Sequence, residues 1–163
     1  MNDRIIIIGG PRAGKSTLAA QQAKKLKWPH YCTDPRSLVK DPLDNVTYLP
    51  EGLEWSEASQ YVCDHWFSKP GPWIIEGVGT VRALRKWRAQ YNEPCDIIVC
   101  MFDTHPKAQR IDGQERMAKA VQTIWQEIVP RWMHLVKLQH WNNINITLYN
   151  TRHNTQFKFN IYN

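Results

Sequence analysis

Four consecutive isoleucines, Ile5–Ile8, lead without a break into Gly9-Gly10-Pro11-Arg12-Ala13-Gly14-Lys15-Ser16. The β-branched run from Arg4 to Ile8 predicts a strand buried on both faces, as in the middle of a parallel sheet. Residues 14–27 follow with Leu18, Ala19, Gln22 and Leu26 at helical spacing. The eight residues between satisfy G-x-x-x-x-G-K-[ST] in full, in the strand–turn–helix setting that this loop requires. Its glycines let the backbone curl so that successive N–H groups point at phosphate oxygens, and the helix start adds the positive end of its dipole. Lys15 is then expected to reach the β- and γ-phosphates, Ser16 to offer its hydroxyl to Mg²⁺, and Thr17 to meet the α-phosphate. Gly9, Gly10, Pro11, Arg12, Ala13, Gly14, Lys15, Ser16 and Thr17 are thus the expected nucleotide-binding residues.

The remaining pattern alternates apolar runs with helix-period stretches, which predicts helices packed on a parallel sheet. Strands are expected at 30–33, 73–76, 96–102 and 144–149, with a small one at 46–49 and an antiparallel return at 156–161. Helices are expected at 55–68 and 81–91. A long helical region after residue 105 is expected to be interrupted at Pro130. With 163 residues and no repeat or low-complexity linker, residues 1–163 read as one domain. No apolar run is long enough to cross a bilayer, and the N-terminal isoleucine run is too brief for a signal sequence. The expectation is a cytoplasmic protein with reduced, buried cysteines, since Cys32, Cys63, Cys95 and Cys100 form no C-x-x-C pair. Most of the eight tryptophans lie at helical spacing beside apolar residues, where core packing explains them. The six histidines show no ligand spacing such as H-E-x-x-H, so no protein-held metal is expected and Mg²⁺ would arrive with ATP.

No N-K-x-D guanine motif is present, and the chain is short for a P-loop motor. On its phosphate loop and its strand–helix alternation the sequence resembles the small P-loop kinases over nearly its whole length. That group includes adenylate, shikimate and gluconate kinases and the kinase domain of phage polynucleotide kinase. The resemblance implies a three-layer α/β fold, a parallel five-stranded sheet in the order 2-3-1-4-5, and a helical lid over residues 105–132. It implies an acceptor facing the ends of the second and third strands. Asp34, in Tyr31-Cys32-Thr33-Asp34-Pro35-Arg36, then stands where a carboxylate can take the proton of an acceptor hydroxyl. An Asp-Pro turn that merely closes the strand is the competing reading. Arg36 becomes an acceptor contact.

Glu76 ends the run Trp73-Ile74-Ile75, and a charge in that place is costly unless it is paired. It matches the position where nucleotide kinases carry Asp-Gly, near the Mg²⁺ water shell or the acceptor, although capping of the next helix would also account for it. Arg82 and Arg85 lie on one face of helix 81–91, as arginines that hold the acceptor or as a solvated basic face. In the lid, Arg110 and Arg116, with Lys119 one turn on, are candidates to stabilise charge on the transferred phosphoryl group. Asp103 is held in reserve.

The residues after Ile75 read Glu-Gly-Val-Gly-Thr, unlike the Asp-Gly-aromatic-Pro-Arg of mononucleotide kinases, and shikimate-type signatures are incomplete. Charge then points to a partner. The net +6 is spread as +5 over residues 1–33, −5 over 34–79, +1 over 80–104 and +5 over 105–163. Such a balance suits a polyanion, because each phosphate contact adds affinity. The leading expectation is ATP-dependent phosphorylation of a hydroxyl on a nucleic acid. It rests on likeness to phage kinases of the polynucleotide kinase sort and to those acting on 5-hydroxymethyluracil in DNA. A small-molecule kinase for a nucleoside, nucleotide or other metabolite is the alternative, and a non-catalytic nucleotide-binding module the second.

Overall fold

The computed structural model describes residues 3–10, 14–87, 95–101, 114–137, 145–150 and 155–160. The first strand, β1 (Arg4–Gly9), is followed by α1 (Lys15–Leu26), β2 (His30–Pro35) and β3 (Val46–Leu49). Next come α2 (Trp55–Tyr61), continued by π-helical turns over Val62–Phe67, then β4 (Trp73–Glu76) and α3 (Thr80–Trp87). The chain closes with β5 (Ile97–Met101), α4 (Gln114–Lys137), β6 (Asn145–Asn150) and β7 (Thr155–Asn160).

These seven strands form one sheet in the order β3-β2-β4-β1-β5-β6-β7. The five principal strands therefore lie in the expected 2-3-1-4-5 order, as β2-β4-β1-β5-β6. The short strand at Val46–Leu49 adds a parallel edge outside β2. At the other edge β7 pairs antiparallel with β6, from Asn145 opposite Asn160 to Asn150 opposite Thr155.

Alternation along the strands divides the core into two layers. Ile6, Ile8, Ile75, Ile98 and Cys100 face Val62, Trp66 and Phe67, together with Val81, Leu84 and Trp87 of α3 and Val121, Ile124 and Trp125 of α4. Ile7, Ile74 and Met101 face Ala19 and Ala23 of α1. A fully buried side chain of the Ile or Phe kind contributes about 1.5–3 kcal/mol. At the start of the sheet the Arg4 guanidinium grips Asp96 through Nε and Nη2, each at 3.1 Å, and the Arg4 backbone N–H donates to the same carboxylate at 2.8 Å. That clamp ties β1 to the entry of β5.

All four cysteines are free and buried, as expected. Burial keeps the thiols of Cys32, Cys63 and Cys100 protonated, with Cys63 pushed up to about 12. Trp66, Trp73, Trp87 and Trp125 are core residues, whereas Trp55 is 56% exposed. Two expectations are corrected in detail. The helix expected at 55–68 changes to π-helical spacing at Val62. The long helix runs unbroken from Gln114 through Pro130 to Lys137. Proline removes one N–H from the ladder, and a helix of 24 residues retains the rest. The expected end of the third helix, residues 88–91, lies outside the described residues.

The turn after β4 is fixed by a close backbone approach. Gly77 has φ +129°, and a Cβ there would run into the Thr33 hydroxyl and stand 3.0 Å from the Thr33 nitrogen. The Gly79 N–H in turn donates to Thr33 Oγ1 at 3.1 Å, which locks this turn onto the end of β2. Gly77→Ala is expected to lower stability by about 1–3 kcal/mol, read from denaturant unfolding; an unchanged midpoint would refute the contact.

Candidate active site

Parallel strands present their carboxyl ends on one edge, so residues far apart in sequence meet there. Register shows which side chains share a face. Cys32 pairs with Glu76 and His30 with Ile74, while Glu76 also pairs with Ile7 on β1. On the edge strand, Val46 pairs with His30 and Tyr48 with Cys32. His30, Cys32, Val46, Tyr48 and Glu76 therefore point to the α1 side of the sheet, and Asp34, past an irregularity in the β2–β3 pairing, joins them at the cavity. They line a cavity of about 430 Å³ there, together with Lys15 and Ser16 of α1, the connection around Leu38–Leu43, Val78, and Met117 of α4. The sheet is its floor and the 36–45 connection one of its walls.

Lys15 is 7% exposed and its Nζ donates to the carbonyl of Gly10, back across its own loop. Burial depresses its pKa, while Glu76, Asp34 and Cys32 oppose that shift. Gly14 precedes α1 with φ +95°, a left-handed turn suited to glycine. Gly10 is required for another reason. A Cβ on it would stand 2.7 Å from the Ala118 Cβ and 2.8 Å from its Cα, so α4 rests directly on the phosphate loop. Gly9 is the last residue of β1, opposite Met101. Thr17 is exposed on the first turn of α1. Pro11, Arg12 and Ala13 lie outside the described residues.

Glu76 is 1% exposed. Its Oε1 accepts from the Ser16 hydroxyl at 3.0 Å and lies 3.4 Å from His30 Nε2, whereas Oε2 is buried with no hydrogen-bond partner among the described residues. The capping role weighed for Glu76 is not seen in these contacts. Asp34 sits two residues beyond Cys32, whose thiol approaches Asp34 Oδ2 at 3.8 Å. Burial first, and then the Glu76 charge, raise the Asp34 pKa above the ordinary carboxylate range; Lys15 and the Cys32 contact pull it back.

Other expected residues fall elsewhere. Arg82 lies over the Trp55 ring, 5.2 Å from its centroid, and Arg85 approaches Glu127 at 3.7 Å. Both sit among the helices on the opposite side of the sheet, and neither lines the cavity. Arg36 reaches Asp44 at 3.4 Å and stands 5.9 Å from the Tyr48 ring, outside the cavity wall. Arg116 and Lys119 are exposed on α4, the former beside the cavity residue Met117. Asp103 and Arg110, with the first part of the expected lid, lie outside the described residues.

Sequence reading missed His30, the partner of Glu76 from 46 residues away. It also missed Tyr48, whose hydroxyl accepts from the Leu43 N–H at 2.9 Å and steadies the connection over the cavity. Alternation of His30, Cys32 and Asp34 along one short strand was the available signal for the first.

No family model and no curated protein matches the chain. Among solved structures it is similar to shikimate kinase from Acinetobacter baumannii in complex with shikimate, with a TM-score of 0.46 and 12% identity over 83% of this chain and 80% of that one. By its own sheet order, and by the phosphate-loop sequence that joins central strand β1 to α1, the chain has a P-loop kinase fold.

Proposed function

We propose that the protein is an ATP-dependent kinase that transfers the γ-phosphate to an acceptor hydroxyl. The observation that carries this reading is the convergence of Lys15, Ser16, Asp34 and Glu76 on one cavity from α1, β2 and β4. Lys15 supplies charge for the phosphates once it leaves the Gly10 carbonyl. Asp34, with its raised pKa, is suited to take the hydroxyl proton, because a base nearer neutrality accepts it more readily. Arg116, on the helix that carries Met117 into the cavity wall, is the described lid residue best placed to approach the transferred group.

The donor set fits the Mg²⁺ that accompanies ATP. A hard cation takes oxygen ligands, and here a hydroxyl and a carboxylate with one unpartnered buried oxygen stand together. Ser16 and Glu76 would hold the ion or its water shell, and His30 holds Glu76 in place. When bound, the ion offsets charge on the β- and γ-phosphates.

Nucleic acid remains a reading for the acceptor because of one surface: exposed Trp55 stacks with Arg82, and Lys86 lies alongside, donating to Ser56. Aromatic and basic side chains together suit a polynucleotide. Transfer from γ-labelled ATP to nucleosides, nucleoside monophosphates, shikimate, 5′-hydroxyl oligonucleotides and duplex DNA with or without 5-hydroxymethyluracil tests both. Label on any acceptor is expected. Nucleotide binding with no transfer to any of them would favour a non-catalytic module, and label on DNA that survives Arg82→Ala unchanged would remove the Trp55 surface from the argument.

A further inference from the structure

The cavity has a chemical character that the kinase reading does not explain. Leu38 and Leu43 line it while 77% and 44% exposed, so together they offer apolar surface to an entering group. Behind them Val46, Val78 and the Tyr48 ring continue the apolar surface. Among the described lining residues the carboxylates are Asp34, Asp41 and Glu76, and the cations are Lys15 and Lys40. Lys15 serves the phosphates and Glu76 the Mg²⁺ that accompanies them, which leaves Lys40 beside Asp34 and Asp41 among the described lining residues. At the floor, His30 Nδ1 is buried without a hydrogen-bond partner among the described residues. Buried polar atoms are normally satisfied, so it marks where a ligand or water can bond.

We infer that this chamber takes an uncharged alcohol with a compact apolar or ring-shaped body, and discriminates against acceptors carrying a phosphate or carboxylate of their own. The inference rests on the kinase reading and deepens it. An acceptor seated there puts its apolar body against Tyr48 and the two leucines and directs its hydroxyl toward Asp34. A second anion in the same space would face Asp34 and Asp41, and like charges a few ångströms apart repel where water is partly excluded. A polynucleotide, whose phosphodiesters flank its hydroxyls, counts among the charged acceptors.

The test uses the wild-type chain with Mg²⁺ and a non-hydrolysable ATP analogue, which keeps nucleotide probes off the phosphate loop. Saturation-transfer NMR titrations compare matched probes: uridine with uridine monophosphate, and methyl shikimate with shikimate. An oligonucleotide carrying uridine serves as the polymer arm. The uncharged member of each pair is expected to bind at least about tenfold more tightly. Reversing one wall charge with Asp41→Lys, on the exposed connection, is expected to narrow that gap. The oligonucleotide carries phosphodiesters beside its sugar hydroxyls, so it is expected to bind more weakly than free uridine, and tighter binding of the polymer overturns the inference. Equal or tighter binding of the charged members, or no saturable binding of any uncharged probe, overturns the inference. Binding of the ATP analogue, measured by calorimetry on the same samples, reports separately on the kinase reading; its absence would fail that reading, while the paired probes still decide the chamber.

Discussion

Lys15→Ala is expected to remove phosphoryl transfer almost entirely and to weaken ATP binding in the same experiment. The ammonium is buried, and its depressed pKa reflects the cost of holding charge where water is excluded. In that setting a cation acts on the phosphates through a low dielectric, so its loss costs at least about a hundredfold in rate. Loss of the side chain also ends its bond to the Gly10 carbonyl, and heat stability should be followed alongside activity. Calorimetric titration with ATP and Mg²⁺, paired with label transfer, gives both readouts. Turnover that survives intact would remove the phosphate loop from the mechanism.

Asp34→Asn separates chemistry from binding. A general base contributes about 10²–10⁴-fold, so transfer should fall by that factor while ATP affinity holds. The same substitution has a stability signature of opposite sense. Because the folded chain raises the Asp34 pKa, the protonated carboxyl favours folding below the ordinary carboxylate range, and this contribution is lost as pH rises through the raised value. Above that value the ionised group is held in place at a cost, which asparagine does not incur. Melting temperatures of the two proteins should therefore diverge in the variant's favour with rising pH. A difference that stays flat with pH would contradict the raised pKa, and full activity in the variant would exclude Asp34 as the base.

What could be read from the amino-acid order follows from how local each signal is. The strand Arg4–Gly9, the phosphate-loop sequence and α1 declare themselves within two dozen residues, because β-branched runs and glycine spacing act over short distances. Sheet order followed from the resemblance that those residues supported. The cavity is a different kind of object. It exists because register brings His30 and Cys32 onto the face that Glu76 shares, and register is set by pairing across long stretches of chain. Helical spacing placed Arg82 and Arg85 on one face of α3 and could not say what that face meets, which proved to be Trp55 and Glu127. The connection 36–45 lacks a hydrophobic period, so nothing in its pattern announced a wall of a chamber.

Because the floor of that chamber is made of strands, its two sides are free to change at different rates. A substitution at His30, Cys32 or Val46 alters a buried sheet position, so any change of the lining made there comes with a penalty to folding. The loop bearing Leu38, Lys40, Asp41 and Leu43 is largely exposed and carries little of the core. Divergence among descendants of this chain should accordingly accumulate in that wall, where loop residues can be exchanged over an unaltered sheet.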